Sequence, residues 1–273
     1  MEETQLFAQI MRIKDLCSAL KVLDLKNHTI MSIKPDGMQL STEKENSLQL
    51  SVFLKEDFFQ TFKTSSNNSL LSINMSVVLE SLAIFDMIDQ KDSGHCVDLT
   101  IDSMKLTFST ETTDYSIISA INTSSAEDIA DFGFCPDNIS GKAIMKAHIL
   151  RNFLFEIDST ADSIGISFSS QPQSIRFIAT GFFLCSEIQL ANNDEDVEEF
   201  SCHKATEFKY SASLFKYCFP SLQNSSKISL RIDCHGVLCM HSLMQFTNNR
   251  VAFTEFLLRP QISPNQHVSI TNE

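Results

Sequence analysis

The sequence predicts an α+β protein built from two copies of one domain, each with antiparallel strands and two short helices. Apolar residues alternate with polar ones along most of the chain, as they do in half-buried antiparallel strands. Four short segments instead carry apolar residues at helical spacing. The same order of strands and helices occurs twice, about 130 residues apart. These three observations fix the expected fold class.

The strand pattern is clear wherever apolar residues occupy every second position. Two turn sequences, Pro35-Asp36-Gly37 and Asn248-Asn249, fall between such runs and predict hairpins. The alternating runs are Leu48/Leu50/Val52, Leu71/Ile73/Met75, Val97/Leu99/Ile101, Leu106/Phe108, Ile164/Ile166/Phe168, Ile175/Phe177, Leu184/Ile188/Leu190 and Ile228/Leu230/Ile232.

The helical segments carry apolar side chains on one face. Ser76 precedes the second segment, and Ser211 or Ser213 precedes the fourth, and serine suits an N-cap. In chain order the apolar faces are Leu16/Ala19/Leu20/Leu23, Val78/Leu79/Leu82, Leu150/Phe153/Leu154/Ile157 and Leu214/Phe215/Cys218.

The internal repeat is visible in the residues themselves. The segment 10–12 aligns with 144–146 at a shift of 134, and 99–102 aligns with 230–233 at a shift of 131. A period of this length indicates two copies of one domain rather than a solenoid. The expected units are therefore an N-terminal domain 1–122, a connecting loop 123–139, a C-terminal domain 140–260 and a polar tail 261–273.

The composition excludes several classes of protein. A hydrophobic content of 43% with 22 phenylalanines is too apolar for a disordered acidic chain, even at a net charge of −13. The sequence has no run of about 18 apolar residues, so it predicts no membrane span. The start of the chain shows no secretory signal. The eight cysteines are accordingly expected to be free, buried thiols.

A duplicated domain with strands on one side and helices on the other suggests a ring. Domains that join edge to edge would place sheets outside and helices around a central hole. Each open strand edge would then be paired by strand addition, which removes the hazard of exposed edges. This is a hypothesis from the repetition alone.

Four segments, in the same order along nearly the whole chain, resemble a known family. They are VVLESLAIF at 77–85, DFFQTFK at 57–63, DFGFC at 131–135, and VAFTEF at 251–256 continuing to Pro260. These segments are similar to the checkpoint sliding clamp, and best to the Rad-one-type subunit of the heterotrimeric (nine-one-one) DNA-damage clamp. The resemblance implies the DNA-clamp fold of proliferating cell nuclear antigen.

The resemblance also implies a function. A member of this family is a non-catalytic subunit of a heterotrimeric ring that encircles double-stranded DNA in the nucleus. Its partners would be two paralogous clamp subunits, a clamp loader, and checkpoint and repair proteins that carry peptide motifs. It implies no cofactor, no metal and no membrane.

The residues expected to face DNA lie on the helical segments away from the apolar faces. Charges on these segments sum to zero, which permits a DNA channel in an acidic protein. Their role would be non-specific phosphate screening, although ordinary solvated lysines would look the same. Homotrimeric clamps carry lysines where this chain has Cys17 and Ser18. The candidates are Lys14, Lys21, Lys146, Arg151 and Lys216.

Two further surfaces are implied by position in the family. A partner groove beneath the connecting loop would use Met38, Leu40, Ile129, Phe132, Phe134, Leu258 and Pro260. The loop phenylalanines could equally serve only to pin the loop to the sheets. Subunit contacts would come from edge strands at 115–121 and 182–190, with Tyr115, Ile117, Ile121, Phe182, Leu184 and Ile188.

Alternative functions stay open at this point. Glu156 and Asp158 faintly resemble a 3'-5' exonuclease signature, and a homotrimeric replicative clamp would share the fold. The Cys-His pairs, including Cys239 and His241, fit no CxxC spacing, and alternate strand residues point to opposite faces, so no zinc site is expected. The acidic run 194–199 is expected to be a solvated turn.

Overall fold

The computed structural model describes residues 4–25, 28–65, 69–89, 96–102, 104–111, 115–127, 131–157 and 160–261. Strands dominate and the helices are few and short, which confirms the predicted α+β class. None of the helices in these ranges is long and apolar enough to span a bilayer.

In the described residues of the first half, nine strands and two α-helices are present. They are β1 (Thr4–Ile10), α1 (Ile13–Leu20), β2 (His28–Lys34), β3 (Gly37–Lys44), β4 (Leu48–Lys55), β5 (Thr61–Thr64), β6 (Ser69–Asn74), α2 (Met75–Asp89), β7 (Val97–Asp102), β8 (Lys105–Glu111) and β9 (Ser116–Asn122). A short strand β10 (Ser124–Ser125) follows in the connecting loop and pairs with β6.

The second half repeats this order. Its elements are β11 (Ile139–Lys146), α3 (Ala147–Glu156), β12 (Ala161–Ser170), β13 (Gln173–Gly181), β14 (Cys185–Ala191), β15 (Val197–Cys202), β16 (Thr206–Ser211), α4 (Ala212–Phe215), α5 (Phe219–Gln223), β17 (Ser225–Asp233), β18 (Leu238–Gln245) and β19 (Val251–Leu258). Strands β1 to β9 therefore correspond one by one to β11 to β19.

The sheets follow the same repeat. The first half forms a five-stranded sheet in the order β5-β1-β7-β8-β9 and a four-stranded set β6-β2-β3-β4. The second half forms β15-β11-β17-β18-β19 and β14-β13-β12-β16, which are the corresponding orders. All neighbouring strands are antiparallel, so the alternating apolar pattern predicted from the sequence places one face of each strand in the core.

The two halves are joined by direct strand pairing. β4 pairs with β19, with Leu50 opposite Phe256, and this pairing fuses strands of both halves into one ten-stranded sheet. Below that junction the buried side chains of both halves form one continuous apolar cluster. On the helix side, the Lys44 Nζ donates to the Tyr217 hydroxyl at 2.7 Å. The two halves are therefore packed together as one body.

The helices begin close to the predicted positions, but one predicted cap is wrong. The hydroxyl of Ser211 caps α4 by accepting from the Leu214 N–H at 3.5 Å, as expected. At α2 the Asn74 side chain, and not Ser76, accepts from the backbone N–H of Val77 at 3.4 Å. Ser76 instead donates to Asp24 at 3.1 Å, because its hydroxyl faces the end of the preceding helical segment.

Both predicted hairpin turns are confirmed. Gly37, the first residue of β3, takes φ +144, and a Cβ at this position would lie 2.2 Å from the Leu54 carbonyl oxygen. Asn248 and Asn249 take φ values of 61 and 58 between β18 and β19, a left-handed conformation that asparagine tolerates. All eight cysteines are free, as expected, but the expected burial is found for only three of them, and Cys185 and Cys234 are exposed.

The acidic run 194–199 is a solvated turn up to Asp196, as expected, and then continues into β15. It is not merely self-repelling, because three of its carboxylates reach lysines on β11 and on β17, the next strand beyond it. The ion pairs are Lys146–Asp196 at 2.6 Å, Lys227–Glu198 at 2.7 Å and Lys142–Glu199 at 2.6 Å.

Candidate functional site

Two strand edges, β9 and β14, are open although the repeat pairs their counterparts with each other. Each is the end strand of its sheet, while its repeat counterpart, β19 or β4, is paired on both sides. Of the other end strands, β5 and β15 correspond to each other, β10 belongs to the connecting loop, and β16 corresponds to β6, which only the two-residue strand β10 covers. The β4–β19 pairing within the chain is thus the pairing that β9 and β14 leave unmade.

Large apolar side chains are exposed along these two edges. On β9 the alternation turns Ile118 outward at 70% exposure, while Ile121 packs into the core of its own domain. Beside β14, Phe182 and Phe183 are 83% and 82% exposed. Their rings contact each other edge to face, with the ring centres 4.7 Å apart. Leu184 is also exposed.

The predicted interface residues are therefore only partly available for contact. Phe182 and Leu184 lie at the surface as predicted, whereas the side chains of Ile117, Ile121 and Ile188 pack against the core, because they occupy the inward phase of their strands. Tyr115 is half-buried. Sequence reasoning missed Ile118 and Phe183, although strand alternation alone places Ile118 opposite to Ile117 and Ile121.

The helices form one surface of mixed character. Lys14 and Lys21 are exposed there, and Arg151 and Lys216 are half-exposed. None of the four makes an ion pair with another residue of the described chain. Phe155 on α3 is 80% exposed, which makes this surface partly apolar.

Lys146 does not match the other predicted DNA-facing residues. Its ammonium group is held by Asp196, and the hydrogen bond between them raises the pKa of Lys146 and lowers that of Asp196. His148 lies 3.5 Å from the same carboxylate. Lys146 is therefore charge-compensated within the chain, whereas Arg12, which sequence reasoning missed, is exposed at the start of α1 and donates to the Thr247 hydroxyl at 2.7 Å.

The connecting loop is anchored to the sheet by Phe132. Its ring is buried in a small cluster with Val237, Cys239 and Leu257, and Phe134 packs against that cluster. The backbone N–H of Cys135 donates to the buried Asp233 carboxylate at 3.0 Å. Of the two interpretations of these phenylalanines, a partner groove or a fixed loop, this packing corresponds to the fixed loop.

The other predicted groove residues need correction. Met38, Leu40 and Leu258 lie in the main apolar core, since their strand phase turns them toward the helices, so they cannot floor an outer groove. Pro260 is half-exposed beyond β19, and Ile129 lies outside the described residues.

An open pocket of about 270 Å³ lies instead on the outer face of the sheet, where the two halves join. Phe53 on β4 and Phe253 on β19 stand opposite each other across the junction. Lys55 lies over the Phe253 ring at 4.9 Å. The lining residues are Phe53, His241, Ser242, Phe253, Thr254 and Glu255. The sequence could have indicated this pocket, because Phe53 and Phe253 are aromatic residues at outward-facing positions of apolar strands.

A polar chain of contacts crosses the pocket floor. An Arg231 N–H donates to His241 Nδ1 at 2.8 Å, and His241 Nε2 lies 2.8 Å from a Glu255 carboxylate oxygen. Cys239 Sγ lies 3.4 Å from the same Nε2. The expectation that these residues diverge was wrong for Cys239 and His241, because residues two apart on a strand share a face.

Of the exonuclease candidates, Glu156 is exposed on α3 and belongs to no cluster of metal-binding side chains among the described residues. Asp158 lies outside the described residues. Within the described chain, the one group of three side chains suited to a metal ion is Cys239, His241 and Glu255.

Comparison with known proteins places the chain in a family. The family model of the repair proteins Rad1/Rec1/Rad17 matches residues 5–244. The chain is 24% identical over 261 residues to the human cell cycle checkpoint protein RAD1, covering 95% of this chain and 93% of that protein.

Two more distant relatives agree. The Schizosaccharomyces pombe DNA damage checkpoint control protein rad1 is 24% identical over 276 residues, covering 93% of this chain and 85% of that protein. The Caenorhabditis elegans checkpoint protein RAD1 homolog mrt-2 is 22% identical over 251 residues, covering 91% of each. The repeated sheets and short helices agree with the clamp fold of proliferating cell nuclear antigen. The chain therefore belongs to the Rad1/Rec1/Rad17 family of repair proteins and is a DNA-damage checkpoint clamp subunit.

Proposed function

We propose that this chain is one arc of a heterotrimeric ring that two paralogous subunits complete around double-stranded DNA in the nucleus. The observation that carries the proposal is the mismatch between equivalent strands: β4 and β19 pair within the chain, whereas β9 and β14 are open. Each subunit would contribute the domains 1–122 and 140–260, joined by the loop 123–139.

Assembly follows from repeating the internal joint. β9 corresponds to β19 and β14 to β4, so a neighbouring subunit's equivalent of β14 would add antiparallel to β9. Burying Ile118 on one side, and Phe182 and Phe183 on the other, would remove the largest exposed apolar groups of these edges from water. Both requirements, open backbone pairing and apolar burial, are met at the same two edges.

The helix surface would then face the DNA. Lys14, Lys21, Arg151 and Lys216 supply the uncompensated positive charge, while Lys146 contributes little because Asp196 neutralises it. A few such contacts screen phosphates without reading bases. Because a closed ring stays on DNA by topology, weak contacts suffice, and this surface fits a clamp better than a site for catalysis.

Partner proteins would dock on the outer face. The pocket between Phe53 and Phe253 is wide enough for one large apolar side chain, and the nearby Lys55 ammonium favours an acidic neighbour in the docking peptide. This assignment replaces the groove expected at Met38, Leu40 and Leu258. A clamp loader would open the ring and would recruit it to DNA.

The proposal is tested by co-expression with the two paralogous subunits of the same organism. We expect a 1:1:1 complex by size-exclusion chromatography with light scattering, and no metal-dependent nuclease activity in the homogeneous complex. Ile118→Glu should block one of the two joints, and Phe182→Ser with Phe183→Ser the other, while each variant alone remains a folded monomer.

Phe155→Glu is the matched control. It places the same charge on an equally exposed apolar residue, away from both edges, and should leave assembly unchanged. Loss of assembly in the Phe155 variant, or unimpaired assembly in both edge variants, would contradict the proposed joints. A stable homotrimer of this chain alone would instead identify a replicative type of clamp, and nuclease activity lost in Glu156→Gln would identify an exonuclease.

A further inference from the structure

Three side chains with metal-binding atoms converge on the outer face of the sheet. Cys239 and His241 share a face of β18, and Glu255 on β19 is the cross-strand partner of His241. His241 Nε2 lies 3.4 Å from Cys239 Sγ and 2.8 Å from Glu255 Oε1. All three atoms lie within 4.8 Å of one another.

The donor types favour one kind of ion. In a tetrahedral zinc site with bonds of about 2.0–2.3 Å, neighbouring ligand atoms lie roughly 3.5 Å apart. The 3.4 Å between His241 Nε2 and Cys239 Sγ fits this spacing, whereas the 2.8 Å hydrogen bond between His241 and Glu255 would have to lengthen. A thiolate, an imidazole and a carboxylate together favour zinc over magnesium or calcium, which take oxygen ligands. We propose that Cys239, His241 and Glu255 bind a divalent cation of the zinc class, independently of the clamp function.

The fourth coordination position would be open to the outside. His241 and Glu255 line the open outer pocket, whereas Cys239, at 1% exposure, is part of the buried Phe132 cluster. Three protein ligands and an open position are typical of sites whose last ligand is water or an exchangeable group. The ion would therefore lie between the loop anchor and the pocket.

Binding requires two changes in the side chains. Without the ion, Arg231 donates to His241 Nδ1, so that Nε2 carries the proton and donates to Glu255. With the ion, Nε2 coordinates, the imidazole proton moves to Nδ1, and the Arg231 N–H has to leave. Arg231 therefore opposes binding in the geometry that the chain adopts without the ion.

The cysteine supplies the only net proton. A cysteine binds a metal ion as its thiolate, so the Cys239 S–H proton has to leave when the ion binds. Coordination replaces the S–H bond by a bond to the metal and releases one proton to solvent per ion bound. Affinity is therefore expected to rise with pH.

Cobalt(II) titration of the full chain tests the site. After chelator treatment and with a thiol-free reductant, we expect thiolate-to-cobalt charge-transfer absorption and intense four-coordinate bands that saturate at one ion per chain. Zinc should displace the cobalt. Cys239→Ser should abolish the charge-transfer band, and Glu255→Gln should weaken binding about 10-fold.

A variant that should bind the metal ion more tightly separates this site from adventitious binding. Arg231→Gln replaces a donor with a side chain whose carbonyl accepts from Nδ1–H, and such outer contacts change metal affinity by about 10- to 100-fold. We expect tighter binding by at least about 10-fold in that variant. A merely structural role of Arg231 would not produce this gain.

Cys185→Ser and Cys218→Ser are the controls, one exposed and one buried, and neither should change the titration. A charge-transfer band that persists in Cys239→Ser, or unchanged affinity in Arg231→Gln, overturns the proposal. If Cys239→Ser does not fold, the near-isosteric Glu255→Gln and the Arg231 variant carry the test, since folding can be checked by circular dichroism.

Discussion

Arg259 and Phe132 form the tightest link between the end of the last strand and the connecting loop. The Arg259 guanidinium lies 4.7 Å above the centre of the Phe132 ring, and one of its N–H groups donates to the Phe132 carbonyl oxygen at 3.1 Å. Residues 127 positions apart in the chain are thereby held together. The loop is thus part of the folded sheet at this point.

Replacing Phe132 by alanine should release the loop. Burial of a phenylalanine in a packed cluster contributes about 3 kcal/mol, and here that contribution is confined to the loop. We expect faster amide hydrogen exchange at Gly133 and Cys135 and unchanged ring assembly. Exchange that stays at the wild-type rate in the variant would contradict the anchoring role of Phe132.

Phe134→Ala is the matched control for that experiment, because Phe134 only packs against the edge of the cluster. Its effect on exchange should be clearly smaller. Arg259→Gln removes the cation from above the ring and should cost about 0.5–1 kcal/mol.

Gly37→Ala should destabilise the whole chain. The positive φ and the Cβ position 2.2 Å from the Leu54 carbonyl oxygen force the β2–β3 hairpin away from β4. We expect a loss of about 3 kcal/mol in the free energy of unfolding, measured by urea denaturation. Gly165→Ala, where the nearest atoms lie at 3.8 Å, should be close to neutral; similar losses in both variants would contradict this explanation.

The Lys146–Asp196 ion pair should make stability depend on pH in acid. Its hydrogen bond lowers the pKa of Asp196, so the pair stabilises the fold above the ordinary aspartate pKa of about 3.9 and is lost as pH falls through the lowered value. Asp196→Asn should therefore lower the melting temperature at pH 7 and bring it close to the wild type at pH 2. An equal difference at both pH values would exclude this pair as the cause.

Reversing two charges on the helix surface should weaken DNA retention. The double variant Lys14→Glu, Lys21→Glu removes phosphate contacts, each of which contributes about 0.9 to the slope of log affinity against log salt. We expect faster loss of the assembled clamp from linear DNA and a shallower salt dependence. Lys63→Glu, a similar change on an exposed strand residue, should have no such effect.

Much of this fold follows from patterns that burial imposes on a sequence. Alternation identified the strands because one face of each lies in the core, and the repeated order of elements predicted the two copies. The Ser76 cap failed because both Ser76 and Asn74 can cap a helix, and only their surroundings decide between them. Likewise, the acidic run found lysine partners that are distant in the sequence.

The sites were predicted less well than the fold. Met38, Leu40 and Leu258 were assigned to a groove by position alone, although their strand phase, visible in the sequence, turns them inward. Phe53 and Phe253 could have been found as aromatic residues in the outward phase of their strands. Their pairing across the junction could not have been predicted, because it depends on which strands of the two halves meet.

The β4–β19 joint determines where the proposed ring can open. Separating these strands would break a backbone ladder, expose the apolar core that both halves share, and still leave the halves tethered by the covalent loop. A joint between subunits has no such tether. A loader acting on this subunit would consequently part it from a neighbour at β9 or β14, and the arc itself would pass through loading and unloading as a single unit.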